Sequence, residues 1–407
     1  MSNLIAGIDV GTTKIYVLVG ELTSDDTIHI IAVGQAPSRG LRRGVVVNIA
    51  EATAAIGQAV EQAEAAAGQS IGSAYVSVAG SHIASLSSRG VAPVSRGQRG
   101  ISQDDISRAL EAARAVPIPH NREIIHTLPR SWTVDEQQGI RDPIGMHGFR
   151  LEVDAHLITG AASAIANLVS CVTAHDIEVD ELVLGPLAAG EAVLTAAERD
   201  MGVVVADMGG GTTDVALFLE NALYHAVVVD VGGNNLTQDV AVMLHAPFKI
   251  AEALKVRYGH LLPASLAPDD IVQVSPFGDQ GQTSVPRAFL AEVLEARAEE
   301  ILESLLREVK RSGYDGLLPA GIVLTGGTAL LPGWAEISRQ YLQLPVRIGA
   351  PRSNISGLNE ELRNPMYATS VGLLLWGAGQ HGGSRPRTAA MPWLERVMHW
   401  LRNLIPG

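Results

Sequence analysis

The sequence predicts an α/β fold of two similar halves facing one cleft, and three observations predict it. Two glycine-threonine segments share one plan, IDVGTTKI from Ile8 and ADMGGGTTDVAL from Ala206. Each has an apolar strand, an Asp at its end, a glycine turn with two threonines, and a second apolar run. A third segment, GIVLTGGTALLPGW from Gly321 to Trp334, reads as a buried strand, a Gly-Gly turn and a helix start. Finally, 407 residues suffice for two or more domains, and 47% hydrophobic content with 4% aromatics demands cores of Ala, Val, Ile and Leu.

The elements follow in chain order. Residues 4–20 and 28–34 read as short strands. Residues 51–67 are Ala-rich with helical spacing, and Gly68 is a stop signal. AYVSVAG from Ala74 is another strand, so residues 1–83 open the first half in β-then-α order. Residues 84–158 differ in texture: Gly-Gln-Arg-Gly at 97–100, a capped helix from Ser102, Pro117 and Pro119, and a strand-like RSWTV. This is a small inserted α+β subdomain. LITGAAS from Leu157 returns to the core pattern. Residues 159–200 continue the first half with a helix, the strand EVDELVLG and a long Ala-rich helix from about Leu187. The second half spans 201–363, helical over 234–260 and 290–311, with loops and a short hairpin between. Residues 364–378 read as a helix returning to the first half, and 379–390 as a Gly-, Arg- and Pro-containing linker.

The loops carry the chemistry. Glycine lets a phosphate approach the main chain, and successive N–H groups make an anion-binding concavity. Gly11 and Gly209, Gly210 and Gly211 would supply that backbone. Thr12, Thr13, Thr212 and Thr213 add hydroxyls, and Lys14 a positive charge. Asp9 and Asp207 would be the catalytic carboxylates, holding Mg²⁺ mainly through water. Two unrelated hairpin turns are the bland alternative, and repetition of the whole plan argues against it. In the third segment, Gly326, Gly327 and Thr328 suit close approach to a base or ribose, so the implied ligand is ATP with Mg²⁺.

Other features exclude. A net charge of −13 disfavours nucleic acid as a partner. Cys171 is the single cysteine, so no intrachain disulfide forms, and its apolar setting reads as packing. The N-terminus lacks the pattern of a signal peptide. The histidines show no zinc-ligand spacing. No apolar run reaches the roughly 20 residues of a membrane-spanning helix.

Residues 391–407 form their own pattern. At about 100° per residue, Trp393, Leu394, Val397, Met398, Trp400, Leu401, Leu404 and Ile405 cover one arc of roughly 160°. Glu395, Arg396, His399, Arg402 and Asn403 fill the other face. This is the form of an amphipathic helix lying in a membrane interface. Arg385, Arg387, Arg396 and Arg402 would add attraction to anionic lipid. A helix docked on its own domain is the alternative, and the linker speaks against it.

These motifs, with PSRGLRRGVVVNI, DAHLITGA, AEALKVRYG, VRIGAP and NPMYATSVGLL in the same order, resemble the actin-like ATPase superfamily and, nearly end to end, its FtsA family of bacterial cell-division proteins. The resemblance implies an actin-like fold and an ATP-binding protein that polymerises head to tail. It implies tethering of FtsZ filaments to the inner face of the cytoplasmic membrane at the septum. The FtsZ C-terminal peptide would dock on the helices around 234–311, and residues 84–158 would contact neighbours and later division proteins. It further implies that Glu191, read as opening the EAVLTAAERD helix, polarises the attacking water as a general base; a dipole partner at a helix N-terminus is the alternative. Gly232, Gly233 and Asn234 would turn near the phosphates. Glu252 would accept from the ribose hydroxyls and Lys255 would flank base or ribose, a surface ion pair being the alternative. Whether ATP is hydrolysed, weakly or at all, is left open. Rival readings are a small-molecule kinase of the superfamily, a chaperone-like ATPase and a PilM-like scaffold; none of them calls for the terminal helix.

Overall fold

The computed structural model describes residues 4–381 apart from 24–26, 95–99, 279–280, 353–354, 356 and 358–359. The expected interfacial helix at 391–407 and most of the expected linker lie outside the described residues.

The first half begins with an antiparallel meander, β1 (Leu4–Val10), β2 (Lys14–Leu22) and β3 (Ile28–Pro37). A small hairpin follows, β4 (Leu41–Arg42) with β5 (Val45–Val46). Helix α1 (Ile49–Ala67) starts where the Asn48 side chain accepts the Glu51 N–H and stops at Gly68, φ 69. Strand β6 (Ser73–Val78) pairs parallel to β1.

The insertion is β7 (Ala84–Pro93), α2 (Gln103–Arg114), β8 (Arg122–Val134), β9 (Gln137–Ile140) and β10 (Arg150–Ala161), its sheet ordered β7-β10-β8-β9. Strand β8 is far longer than RSWTV. Pro129 would normally end a strand, but the ladder shifts register there, pairing Ser131 with Asp154 and Pro129 with Ala155. The bulge admits a residue with no N–H to donate.

The chain then forms α3 (Ala162–Thr173), β11 (Glu178–Leu184), α4 (Gly185–Val193) and α5 (Ala196–Met201). The single long helix expected from Leu187 is therefore two. Leu194 is extended, and Thr195 accepts the Glu198 N–H at 3.1 Å while its own N–H donates to Glu198 at 2.7 Å. That reciprocal cap starts a new helix.

The second half repeats the first: a meander of β12 (Val203–Met208), β13 (Thr213–Leu219) and β14 (Ala222–Val229), then α6 (Gly233–Met243), α7 (Phe248–Tyr258), the hairpin β15 (Ile271–Val274) and β16 (Thr283–Pro286), α8 (Arg287–Ser312), β17 (Ile322–Thr325), α9 (Trp334–Leu342) and β18 (Val346–Ile348). Its sheet order, β14-β13-β12-β17-β18, is that of β3-β2-β1-β6-β11 in the first half, with the same three antiparallel strands and two parallel ones. Duplication thus extends from the loops to the whole sheet. Helix α10 (Ala368–His381) packs against α4, β1 and β2.

Small side chains set the packing. A Cβ on Gly34 of β3 would lie 2.0 Å from the Ala59 carbonyl of α1, and one on Gly90 of β7 would lie 2.0 Å from the Ala109 carbonyl of α2. On Gly372 of α10 it would lie 1.8 Å from the Ala188 carbonyl of α4. At all three places backbone meets backbone, which only glycine permits. One apolar core fills the first half and runs on to the face of the second sheet that carries Val203, Val205, Ala216, Phe218 and Val323; a second fills the rest of the second half and a third the insertion.

Candidate functional site

The duplicated sheets bring their first turns together. Between β1 and β2, the Gly11 N–H donates to the Lys14 carbonyl at 3.1 Å; between β12 and β13, the Gly209 N–H donates to the Thr212 carbonyl at 2.9 Å. These equivalent turns touch across the cleft, since a Cβ on Gly210 would lie 2.0 Å from the Thr13 hydroxyl and one on Gly211 2.9 Å from that of Thr12. Gly11, Thr12, Thr13, Lys14, Gly209, Gly210, Gly211 and Thr212 all line a cavity of about 340 Å³. That volume lies in the range of small-ligand pockets.

Carboxylates form one wall. Asp9 is the penultimate residue of β1, accepting from the Ser77 hydroxyl at 2.8 Å and from that of Ser370 at 3.2 Å. Asp207 accepts from the Thr369 hydroxyl at 2.6 Å. Asp214, on β13, is buried, and its Oδ1 meets no hydrogen-bond donor. Burial, then the neighbouring charge of Asp207, lifts the Asp9 carboxyl to about 6. Burial also raises Asp207, and burial with the charges of Asp207 and Asp9 holds Asp214 well above the carboxylate range. Burial likewise raises the Tyr16 phenol, whose hydroxyl finds no partner. The described residues hold no cluster of three or more acidic, His or Cys side chains set to grip a metal directly. A hydrated cation fits: it would satisfy the lone Asp214 oxygen and offset the mutual repulsion while keeping its own waters.

Apolar side chains also line the cavity: Leu236, Val256, Leu331, Pro332 and Met366, with Gly327 and Thr328. Here the second loop is tied down: Gly233 and Asn234 N–H groups at the start of α6 donate to the Gly209 and Gly210 carbonyls at 2.9 and 2.7 Å, and the Thr328 hydroxyl donates to Gly209 at 2.8 Å. Lys255 donates to the Gly233 carbonyl at 3.0 Å and pairs with Glu252 at 2.7 Å. Both reach the cavity, already joined to one another.

Comparison with known proteins now decides the family. The family model described as cell division protein FtsA matches residues 204–372, and the SHS2 domain inserted in FtsA matches 80–159. The chain is similar to the cell division protein FtsA of Pseudomonas aeruginosa, 40% identical over 98% of each chain. The chain belongs to the FtsA family of cell division proteins. Its fold is actin-like with an SHS2 insertion. It is similar in fold to the PilM–PilN type IV pilus biogenesis complex (TM-score 0.66, 17% identity, 92% of this chain and 98% of that one). It is likewise similar to MreB5 of Spiroplasma citri bound to ADP (TM-score 0.57, 12% identity, 93% and 98%).

In this FtsA-family chain several expected site residues stand elsewhere. Glu191 lies in the last turn of α4, not at a helix start, because the helix breaks at Leu194. Its carboxylate pairs with Arg199 at 2.8 Å and does not line the cavity. Thr213 is buried and donates to the Val231 carbonyl at 2.8 Å, so its hydroxyl is spent on tying the start of β13 to the segment that follows β14. Gly232 and Gly326 back the cavity without lining it; a Cβ on Gly326, φ 84, would lie 2.3 Å from Asp207 Oδ1. Sequence reasoning missed Asp214, Ser77, Thr369 and Ser370. The signal for Asp214 was its place after Thr212-Thr213, matching Lys14 after Thr12-Thr13.

Proposed function

We propose that this chain binds ATP with Mg²⁺ in the cleft, polymerises head to tail and holds filaments of FtsZ on the inner face of the cytoplasmic membrane at the division septum. The observation that carries the nucleotide reading is the contact of two glycine-threonine turns beside three acidic side chains and an apolar slot. The triphosphate would lie on the N–H groups and hydroxyls of the turns, with Lys14 near its end. The base would enter the apolar slot, with Glu252 and Lys255 beside the ribose. Asp9, Asp207 and Asp214 would hold Mg²⁺ through water, and the ion when bound would neutralise phosphate charge. Asp214 lines the cleft and would take a proton from cleft water, the part expected of Glu191. The MreB5 structure with ADP supports nucleotide in a fold of this kind.

Residues 391–407 would lie in the anionic membrane surface, the FtsZ C-terminal peptide would dock on the surface of α6 to α8, and the insertion would recruit later division proteins. Val242, Met243 and Phe248 are exposed on that surface, which suits an apolar peptide.

Titration with ATP and Mg²⁺ tests the cleft, and co-sedimentation with acidic liposomes tests the tail. The full chain should pellet, while a chain ending at Gly383 should stay soluble and still bind ATP. Equal pelleting of the two would remove the tether; absence of ATP binding would remove the cleft reading.

A further inference from the structure

The turn between β4 and β5 stands at the rim of the cleft. Gly44 lines the cavity, and its N–H donates to the Thr12 hydroxyl at 3.0 Å. The Arg43 carbonyl presses on Gly80, where a Cβ would lie 2.9 Å from it. The turn is thereby wedged between the first loop and the end of β6. From this base the Arg43 side chain crosses to the second half and pairs with the Asp230 carboxylate. Asp230 directly precedes Val231, whose carbonyl holds the Thr213 hydroxyl, and lies three residues before Gly233, whose N–H holds the Gly209 carbonyl. Each end of the ion pair is therefore a short step from a glycine-threonine turn. The side chains are 49% and 39% exposed, so solvent and salt reach them.

We propose that Arg43 and Asp230 form a clasp across the mouth of the cleft, which must part before a bound nucleotide can leave. The clasp, which rests on the nucleotide reading above, makes Arg43 a positioning residue for nucleotide exchange. Opening the cleft separates the two turns, and with them the two charges. Salt screens a pair this exposed.

The test is release of a fluorescent mant-ATP from the full-length chain with Mg²⁺, chased by unlabelled ATP in stopped flow. Arg43→Glu and Asp230→Arg should each speed release roughly two- to five-fold, the scale of an exposed ion pair. The double variant carrying both changes should return towards the parental rate. At about 1 M salt, where the screening length falls to about 3 Å, release from the parent should quicken while Arg43→Ala stays constant. Single variants at the parental rate, or a double variant as fast as the singles, would overturn the clasp. If no variant and no parent binds mant-ATP, the nucleotide reading fails, and the clasp is judged without ligand. Spin labels at Glu61→Cys on α1 and Glu299→Cys on α8 should then give one narrow distance, broadened by Arg43→Glu; unchanged distances would sink it. The native Cys171 is buried and leaves such labelling clean.

Discussion

Replacing Asp9 by Asn should stabilise the ligand-free protein while weakening its grip on Mg²⁺ and nucleotide. The Asp9 carboxyl rises from 3.8 to about 6, first through burial and then through Asp207. A raised acid binds its proton more tightly in the folded state, so the folded state pays for ionisation that the unfolded chain accepts freely. This cost is absent below about pH 4, grows as pH climbs between the two values, and is complete above about pH 6. At 1.36 kcal/mol for each pH unit it reaches about 3 kcal/mol. Asn keeps an acceptor for Ser77 or Ser370 and carries no charge, so Asp9→Asn should gain about 1–3 kcal/mol at neutral pH. Urea denaturation in EDTA from pH 4 to 8 measures it. The two proteins should coincide at the acid end and diverge with the variant more stable. Saturating ATP and Mg²⁺ should reverse the order, since about 1,000-fold excess over Kd adds about 4.1 kcal/mol to a protein that binds. A difference independent of pH, or an Asn variant less stable at pH 7.5 without ligand, would refute the reasoning.

Other expectations follow from the same geometry. Thr369→Val removes the donor to Asp207, and leaving that carboxylate short of a partner should cost about 1–3 kcal/mol in the same denaturation experiment. Gly372→Ala puts a methyl into the Ala188 carbonyl and should cost about 3 kcal/mol or more, read as loss of soluble protein or a lowered thermal midpoint. Glu198 behaves oppositely to Asp9: against the upward push of burial, Arg347 and Thr195 hold it down at about 2. Its contribution is full above about pH 4.5 and fades as pH falls towards 2, so Glu198→Gln should cost about 1 kcal/mol at neutral pH, discounted for partial exposure, and little in acid.

What could be read from the chain was what is local. A glycine turn with two threonines carries its phosphate chemistry within a few residues, and its repetition revealed the duplicated sheets. Partners supplied from far along the chain stayed hidden: Ser370 reaches Asp9 and Thr369 reaches Asp207 only after α10 has folded back. Glu191 was misplaced because an Ala-rich run reads as one helix, while Thr195 and Glu198 cap a second one inside it. Strand β8 was cut short because Pro129 signals an end unless a register shift absorbs it. The amphipathic pattern of 391–407 stands on sequence alone.

The glycine seats under α1, α2 and α10 bear on how this molecule can move. Where a carbonyl rests in the dimple left by an absent side chain, sliding a helix by even part of a turn drives it into the next Cβ. Gly34, Gly90 and Gly372 thus lock the layers against shear. Motion between the halves is left to rotation about the seam where α4 packs on β12, β13 and β17, so each half should swing as a rigid jaw, its internal distances unchanged.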